Sequence, residues 1–276
     1  MRLRILAIIL FLPVLAVGQD KGDSDLALSK VAFYLTRYGL PDASPASAHP
    51  VLNFVAKLDS KRSSFKRDSD FLEYLFAKTH QRFLKHYSEY PSFGETLNTG
   101  TYNCLTATAL YALFLDHFQV DYEITETNYH IFLMAHTEEG NILIETTDPT
   151  YGFVTNAGEI ERRIAEYRDE REAEDSSNPA HQYDFSLYNT VNLDQMLGLL
   201  HYNRSIAAYN DQDLTTSVAE LAKAIESYQS PRIQAFSDLV LLAVLSTNME
   251  SSAKERCLQR LYAIRKIHYD ISASAN

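Results

Sequence analysis

Hydrophobic positions change their rhythm three times along this chain. Over residues 25–38, Leu28, Val31, Leu35 and Tyr38 recur at three- and four-residue spacing, which predicts an amphipathic helix. Leu40-Pro41 and the Ser/Pro/Ala stretch to Pro50 read as a loop, and residues 51–58 as a short helix. A longer helix is predicted over 69–87, with Phe71, Leu75, Phe83 and Tyr87 broadly on one face. Residues 88–101 carry Pro91, Gly94 and Gly100 and read as a loop. The next helix, 103–118, is different: Cys104 to Leu115 contains no charge, and a helix that is apolar all round is a buried one. The rhythm then shortens to that of strands over 121–127, 129–136 and 141–147, with Glu138-Glu139-Gly140 turning between the last two.

Residues 159–175 hold twelve charges in seventeen positions, which reads as a solvated helix or linker and a domain boundary. From Leu193 onward the helical rhythm returns, over about 193–209, 214–228, 232–247 and 252–268. Ser217 with Glu220, and Ser252 with Glu255, fit the capping-box pattern; Ser230-Pro231 fits a cap followed by proline in the first turn. Ser217, Leu221 and Ala224 have the small–large–small spacing of the second helix of a tetratricopeptide unit. A helical-hairpin array and a bundle closing the core of the preceding unit both fit this tail. The organisation expected is thus a leader over 1–18, an α+β unit over 19–158, a charged connection over 159–192 and helices over 193–276.

The leader follows from the first twenty residues. Arg2 and Arg4 precede an apolar run from Ile5 to Val17, and Ala16-Val17-Gly18 offers small residues for cleavage before Gln19. The run falls short of the ~20 apolar residues that cross a bilayer, and no cysteine near the cleavage point suggests a lipid anchor. The expectation is an exported chain, periplasmic or secreted, and free of the membrane after cleavage. Its charge of −11, with no basic block, argues against nucleic-acid or anionic-membrane partners.

Two cysteines cannot build a disulfide framework or a zinc finger. Cys104 stands where the 99–103 loop enters the uncharged helix. A helix start offers partial positive charge and unpaired N–H groups, which favour a thiolate and can stabilise an oxyanion. Such a nucleophile needs a base, usually a histidine held by a carboxylate. His130 and Asp148 each lie nine residues from Glu139. A hairpin centred on Glu139 places them opposite each other, with Cβ atoms roughly 5 Å apart; a two-residue Glu139-Gly140 turn shifts the register and makes the pair diagonal. Each residue also has a plainer role: Cys104 as a small hydrophobe, His130 as a core histidine, Asp148 as a turn former before Pro149. There is no His-Glu-x-x-His motif, cysteine pair or Gly-rich phosphate loop, so no metal or cofactor is expected. Cys257 sits with Leu261 and Ile264 at helical spacing and reads as core; in an oxidising compartment a Cys104–Cys257 disulfide stays open.

Gly100-Thr101-Tyr102-Asn103-Cys104-Leu105 entering a helix, Tyr129-His130-Ile131-Phe132-Leu133 on a strand, and Thr147-Asp148-Pro149-Thr150 resemble the three motifs of the bacterial transglutaminase-like, papain-related superfamily over roughly residues 69–155. With its helical tail the chain is similar to the SirB-like subgroup, which joins such a domain to tetratricopeptide-like helices. The resemblance implies a nucleophile helix packed on an antiparallel sheet, with Cys104 as nucleophile, His130 as base and Asp148 as the acid orienting it. It also implies a polar donor ahead of the cysteine, for which Asn98, Tyr102 and Asn103 are the candidates. The activity implied is acyl transfer from an amide, of the peptidase, amidase or transglutaminase type. The alternative is an inactive scaffold that holds a peptide or protein partner through its helical tail.

Overall fold

The computed structural model describes residues 20–39, 49–169 and 187–274; the leader and most of the 40–50 loop lie outside them. In chain order the elements are α1 (Asp20–Arg37), α2 (His49–Arg62), α3 (Asp68–Phe83), β1 (His86–Tyr87), α4 (Phe93–Asn98), β2 (Thr101–Tyr102) and α5 (Cys104–His117). Then come β3 (Asp121–Thr127), β4 (Ile131–Thr137), β5 (Gly140–Ile144), β6 (Phe153–Val154), α6 (Ala157–Asp169) and β7 (Tyr188–Val191). The chain continues through α7 (Leu193–Asn210), α8 (Leu214–Ser227), α9 (Pro231–Ser246) and α10 (Ser251–Ser274).

Five strands form one antiparallel sheet in the order β6-β5-β4-β3-β7, so the class is mixed α and β with an antiparallel sheet. α5 lies against β3 and β4, and as its composition predicts it is buried on nearly every side, from Leu105 to Leu115. Its Tyr111 donates to the Phe76 carbonyl on α3 at 2.8 Å, and His117 meets Asp59 on α2 at 2.9 Å. The other face of the sheet, with Phe132, Met134, Leu143 and Val154, is covered by Ile160, Ile164 and Tyr167 of α6. As far as Asp169 the charged stretch is therefore a helix with one apolar stripe at i, i+4 and i+7, and Glu159 pairs with Arg162 and Arg163 beside it; residues 170–175 lie outside the described residues. β7, also within 159–192, extends the sheet beside β3.

α7 to α10 are joined by connections of three or four residues and pack successively on one another. The tail is not set apart from the sheet: α7 packs on α5, and one hydrophobic core runs from Val31 to Ile264. Two expected caps move. α8 is capped by Asp213, whose carboxylate accepts from Thr216 N–H at 3.0 Å. Ser217 instead lies buried between helices, meeting Ser205 at 3.0 Å. At α10 the Glu250 carboxylate caps the Ser252 and Ala253 N–H groups, in place of Ser252 with Glu255. α3 stops at Phe83, a turn before the predicted end. There Lys85 and His86 N–H donate to the Gly100 carbonyl, and Tyr87 pairs with Tyr102. Gly100 accepts this close approach with a left-handed φ of 83°, where a Cβ would strike the Lys85 side chain. α4, inside the expected 88–101 loop, starts at a Ser92–Glu95 capping box.

His80 on α3 carries a pH dependence. It is buried among Phe76, Tyr102 and Tyr111, its Nε2 makes no hydrogen bond, and burial lowers it to about 4 despite the opposing pull of Asp148 and Glu145. Between pH 4 and 6.5 the unfolded chain binds a proton here that the folded chain refuses, so stability falls as the medium is acidified through that window. The contribution lost amounts to about 3 kcal/mol. Thermal melts from pH 7 to 4 should show His80→Leu losing less stability than wild type by about this amount. Parallel acid limbs would refute the assignment.

Candidate active site

The first residue of α5 is Cys104, and the cap before it is Asn103. The Asn103 Oδ1 accepts from Thr106 N–H at 2.9 Å, while its amide donates to the Glu89 carbonyl at 2.9 Å and to Asn203 of α7 at 3.2 Å. Asn203 donates in turn to the Pro91 carbonyl at 2.8 Å. The start of the helix is thus held by a loop and by the tail together. Beneath it, Thr146 Oγ1 donates to the Cys104 carbonyl at 3.4 Å and meets Thr108 Oγ1 at 3.2 Å, tying α5 to the end of β5.

The His130 ring is hydrogen-bonded by the carboxylate of Glu145 and lines the same cleft as Cys104. The engaged nitrogen is Nε2, which meets Glu145 Oε2. Burial alone would strip His130 of its proton, but the bonds to Cys104 and Glu145 outweigh it and raise the ring to about 10. Desolvation would likewise lift Glu145. Instead the bonds from His130 and from Thr147 hold it below the usual carboxylate range. All its acceptor capacity is used: Oε1 takes Thr147 N–H at 3.0 Å and Thr147 Oγ1 at 2.6 Å, and Oε2 takes the Tyr167 hydroxyl at 3.2 Å besides the ring. The Tyr167 phenol, buried beside this carboxylate, is shifted upward. Tyr167 also closes over the imidazole, with ring centroids 5.0 Å apart, and Phe132 lies on the ring at 6.2 Å.

Glu145 therefore occupies the place expected for Asp148. The hairpin turns through two residues, Glu138 and Glu139, with Thr137 paired to Gly140 and Leu133 to Ile144. Continued outward, this register sets Glu145 opposite Phe132 and on the face of His130. A register centred on Glu139 is one residue away, and a slip of one residue reverses the faces. Asp148 accordingly sits in the turn after β5. Its Oδ1 accepts from Thr150 and Tyr151 N–H at 3.0 and 2.9 Å, and its carbonyl accepts from Gly152 N–H at 3.0 Å.

The oxyanion candidates do not converge on the thiol. Asn98 is exposed at the end of α4, and the ring of Tyr102 is buried against His80 and Tyr87. Neither lines the cleft; Asn103 does, but its amide is fully occupied. Both cysteines are free: Cys104 is half-buried and Cys257 is buried in α10, without a disulfide between them.

Cys104 and His130 open into a cleft of about 260 Å³. Its lining includes Tyr87, Tyr129 and Ile131, Leu199, Tyr202 and Ile206 of α7, and Glu126 and Arg232. Two contributors escaped the sequence reading. Tyr167 was hidden among charges, though its spacing from Ile160 and Ile164 was a usable signal, and Glu145 was hidden by the register. Among the described residues no helix is long and apolar enough to cross a membrane, and no three His, Cys, Asp or Glu side chains group as a metal site would require. Compared with models of protein families, with curated proteins and with solved structures, the chain matches none.

Proposed function

We propose that this chain is an exported, transglutaminase-like cysteine enzyme that transfers an acyl group from an amide of a peptide or protein. The α5–sheet unit would be a papain-related core of the SirB-like kind, and α7–α10 its tetratricopeptide-like tail. The observation that carries this reading is that Cys104, at a helix start, and His130, bonded to Glu145, line one cleft. A protonated His130 beside the sulfur favours the thiolate, and Glu145 stabilises and aims the imidazolium. The thiolate Sγ would attack the amide carbonyl carbon. As the C–N bond breaks, His130 gives its proton to the departing amine, leaving a thioester on Cys104. His130 then accepts a proton from water or from a second amine as either one displaces the sulfur, giving hydrolysis or transamidation. The oxyanion would be met by the N–H groups of Cys104 and Leu105, since Asn103 takes only that of Thr106.

Alkylation by iodoacetamide, mapped to Cys104 by mass spectrometry, tests the reading. Wild type should react rapidly at pH 6.5, and His130→Ala should lose at least about tenfold of that rate. Slow alkylation that is insensitive to His130 would overturn the enzyme reading and favour the scaffold.

A further inference from the structure

The imidazole reaches the thiol from a turn, and that turn is gripped by the helical tail. Thr127 N–H donates to the His130 carbonyl at 2.8 Å, and His130 N–H donates to Thr127 Oγ1 at 3.0 Å, so residues 127–130 make one closed bend at the end of β3. Arg232, in the first turn of α9, reaches across more than a hundred residues of sequence to this bend. Its Nη2 donates to the Thr127 carbonyl and, at 2.8 Å, to the Asn128 carbonyl. Its Nε lies 3.1 Å from Glu126 Oε1, an ion pair in which the N–H points off the oxygen. The other carboxylate oxygen of Glu126 accepts from the Tyr228 hydroxyl at 2.7 Å, just before α9. On the far side the Leu187 N–H donates to Asn128 Oδ1 at 2.7 Å, where the chain enters β7. Glu126 is almost wholly buried and Arg232 largely so, with the guanidinium 5.9 Å from the Tyr202 ring.

We infer that Arg232 is a positioning residue for the Cys104–His130 pair, fixing the backbone that delivers the imidazole, so that the cleft chemistry depends on the C-terminal helices. Two carbonyls on one planar guanidinium define a direction as well as a distance, which a single flexible ammonium does not. Arg232 itself neither touches the sulfur nor supplies a proton. Other ties brace the helix that holds the sulfur; this one acts on the opposite partner. The inference rests on the acyl-transfer reading, because it concerns the geometry of that pair.

The test is the pH–rate profile of Cys104 alkylation by iodoacetamide in the full-length chain, run for wild type, His130→Ala, Arg232→Gln and Arg232→Lys, with a melt for each. Arg232→Gln should slow alkylation at pH 6.5 by about tenfold or more and move the profile toward alkaline pH, the gap narrowing as the pH rises. Arg232→Lys keeps the charge and can hold one carbonyl; it should lose about threefold, and it carries the test if Arg232→Gln does not fold. A brace of the fold alone would lower the melting temperature and leave the profile of the folded protein unmoved. A wild-type profile in either folded variant would therefore overturn the inference while leaving the acyl-transfer reading standing. Should wild type itself match His130→Ala, both fall together.

Discussion

Glu145→Gln slows alkylation of Cys104 near neutral pH by about a hundredfold, while Asp148→Asn leaves it within about twofold of wild type. The argument rests on what each carboxylate faces. Every neighbour of Glu145 is a donor: the His130 ring, the Tyr167 hydroxyl, and the Thr147 N–H and hydroxyl. A glutamine can keep its Oε1 on the Thr147 N–H and turn its NH2 to the ring and the Tyr167 hydroxyl, but the charge that stabilises the imidazolium is gone. Hydrogen bonds to a charged group are worth about 1.5–3 kcal/mol, so the melting temperature should fall as well. Asp148 accepts only the N–H groups of Thr150 and Tyr151, and an asparagine Oδ1 can do the same. Alkylation rates and melts of the two variants, measured side by side, check this. Equal slowing in both would return the orienting role to Asp148.

Gly152→Ala should destabilise the protein by about 3 kcal/mol and slow Cys104 alkylation with it. The reason is space and not a left-handed φ, since Gly152 is not among the residues with positive φ. A Cβ there would be driven into the carbonyl oxygens of Glu145 and Asp148, closer than such atoms approach. Both oxygens are backbone and cannot swing aside. The Glu145 N–H also donates to the Gly152 carbonyl at 2.7 Å, so any relief displaces the residue that holds His130. Urea denaturation measures the first effect, and alkylation of the still-folded fraction measures the second. A variant with wild-type stability would mean that the 145–152 bend is softer than described.

Much of the framework was legible because burial leaves a compositional mark. The uncharged run from Cys104 to Leu115 announced a helix enclosed by the rest of the chain, and the shift to short-period patterning announced the hairpin that carries His130. The acid was illegible for a physical reason. Face assignment in a hairpin depends on whether the turn has two or three residues, and Glu138-Glu139-Gly140 allows both readings. α6 was obscured because the charges on its solvent face dominate composition, although Ile160, Ile164 and Tyr167 were correctly spaced for a buried stripe. β7 is too short to show alternation, and its place in the sheet comes from pairing with β3. The helices of the tail could be read from periodicity. That Arg232 would reach Thr127 could not, because nothing local distinguishes that arginine from one facing solvent.

The ties between the tail and the hairpin also set a timetable. Asn203 reaches Asn103, Tyr228 reaches Glu126 and Arg232 reaches Thr127, each across a hundred residues or more. At about 5–20 residues per second, a ribosome needs about 5–20 s to make the segment between them. For that interval Cys104 and His130 already exist on the growing chain, but the wall and the clamp that complete their cleft do not. Long-range closures of this kind also slow folding once synthesis ends. The cleft is thus among the last parts of this structure whose residues are all in place, although its cysteine and histidine are made early.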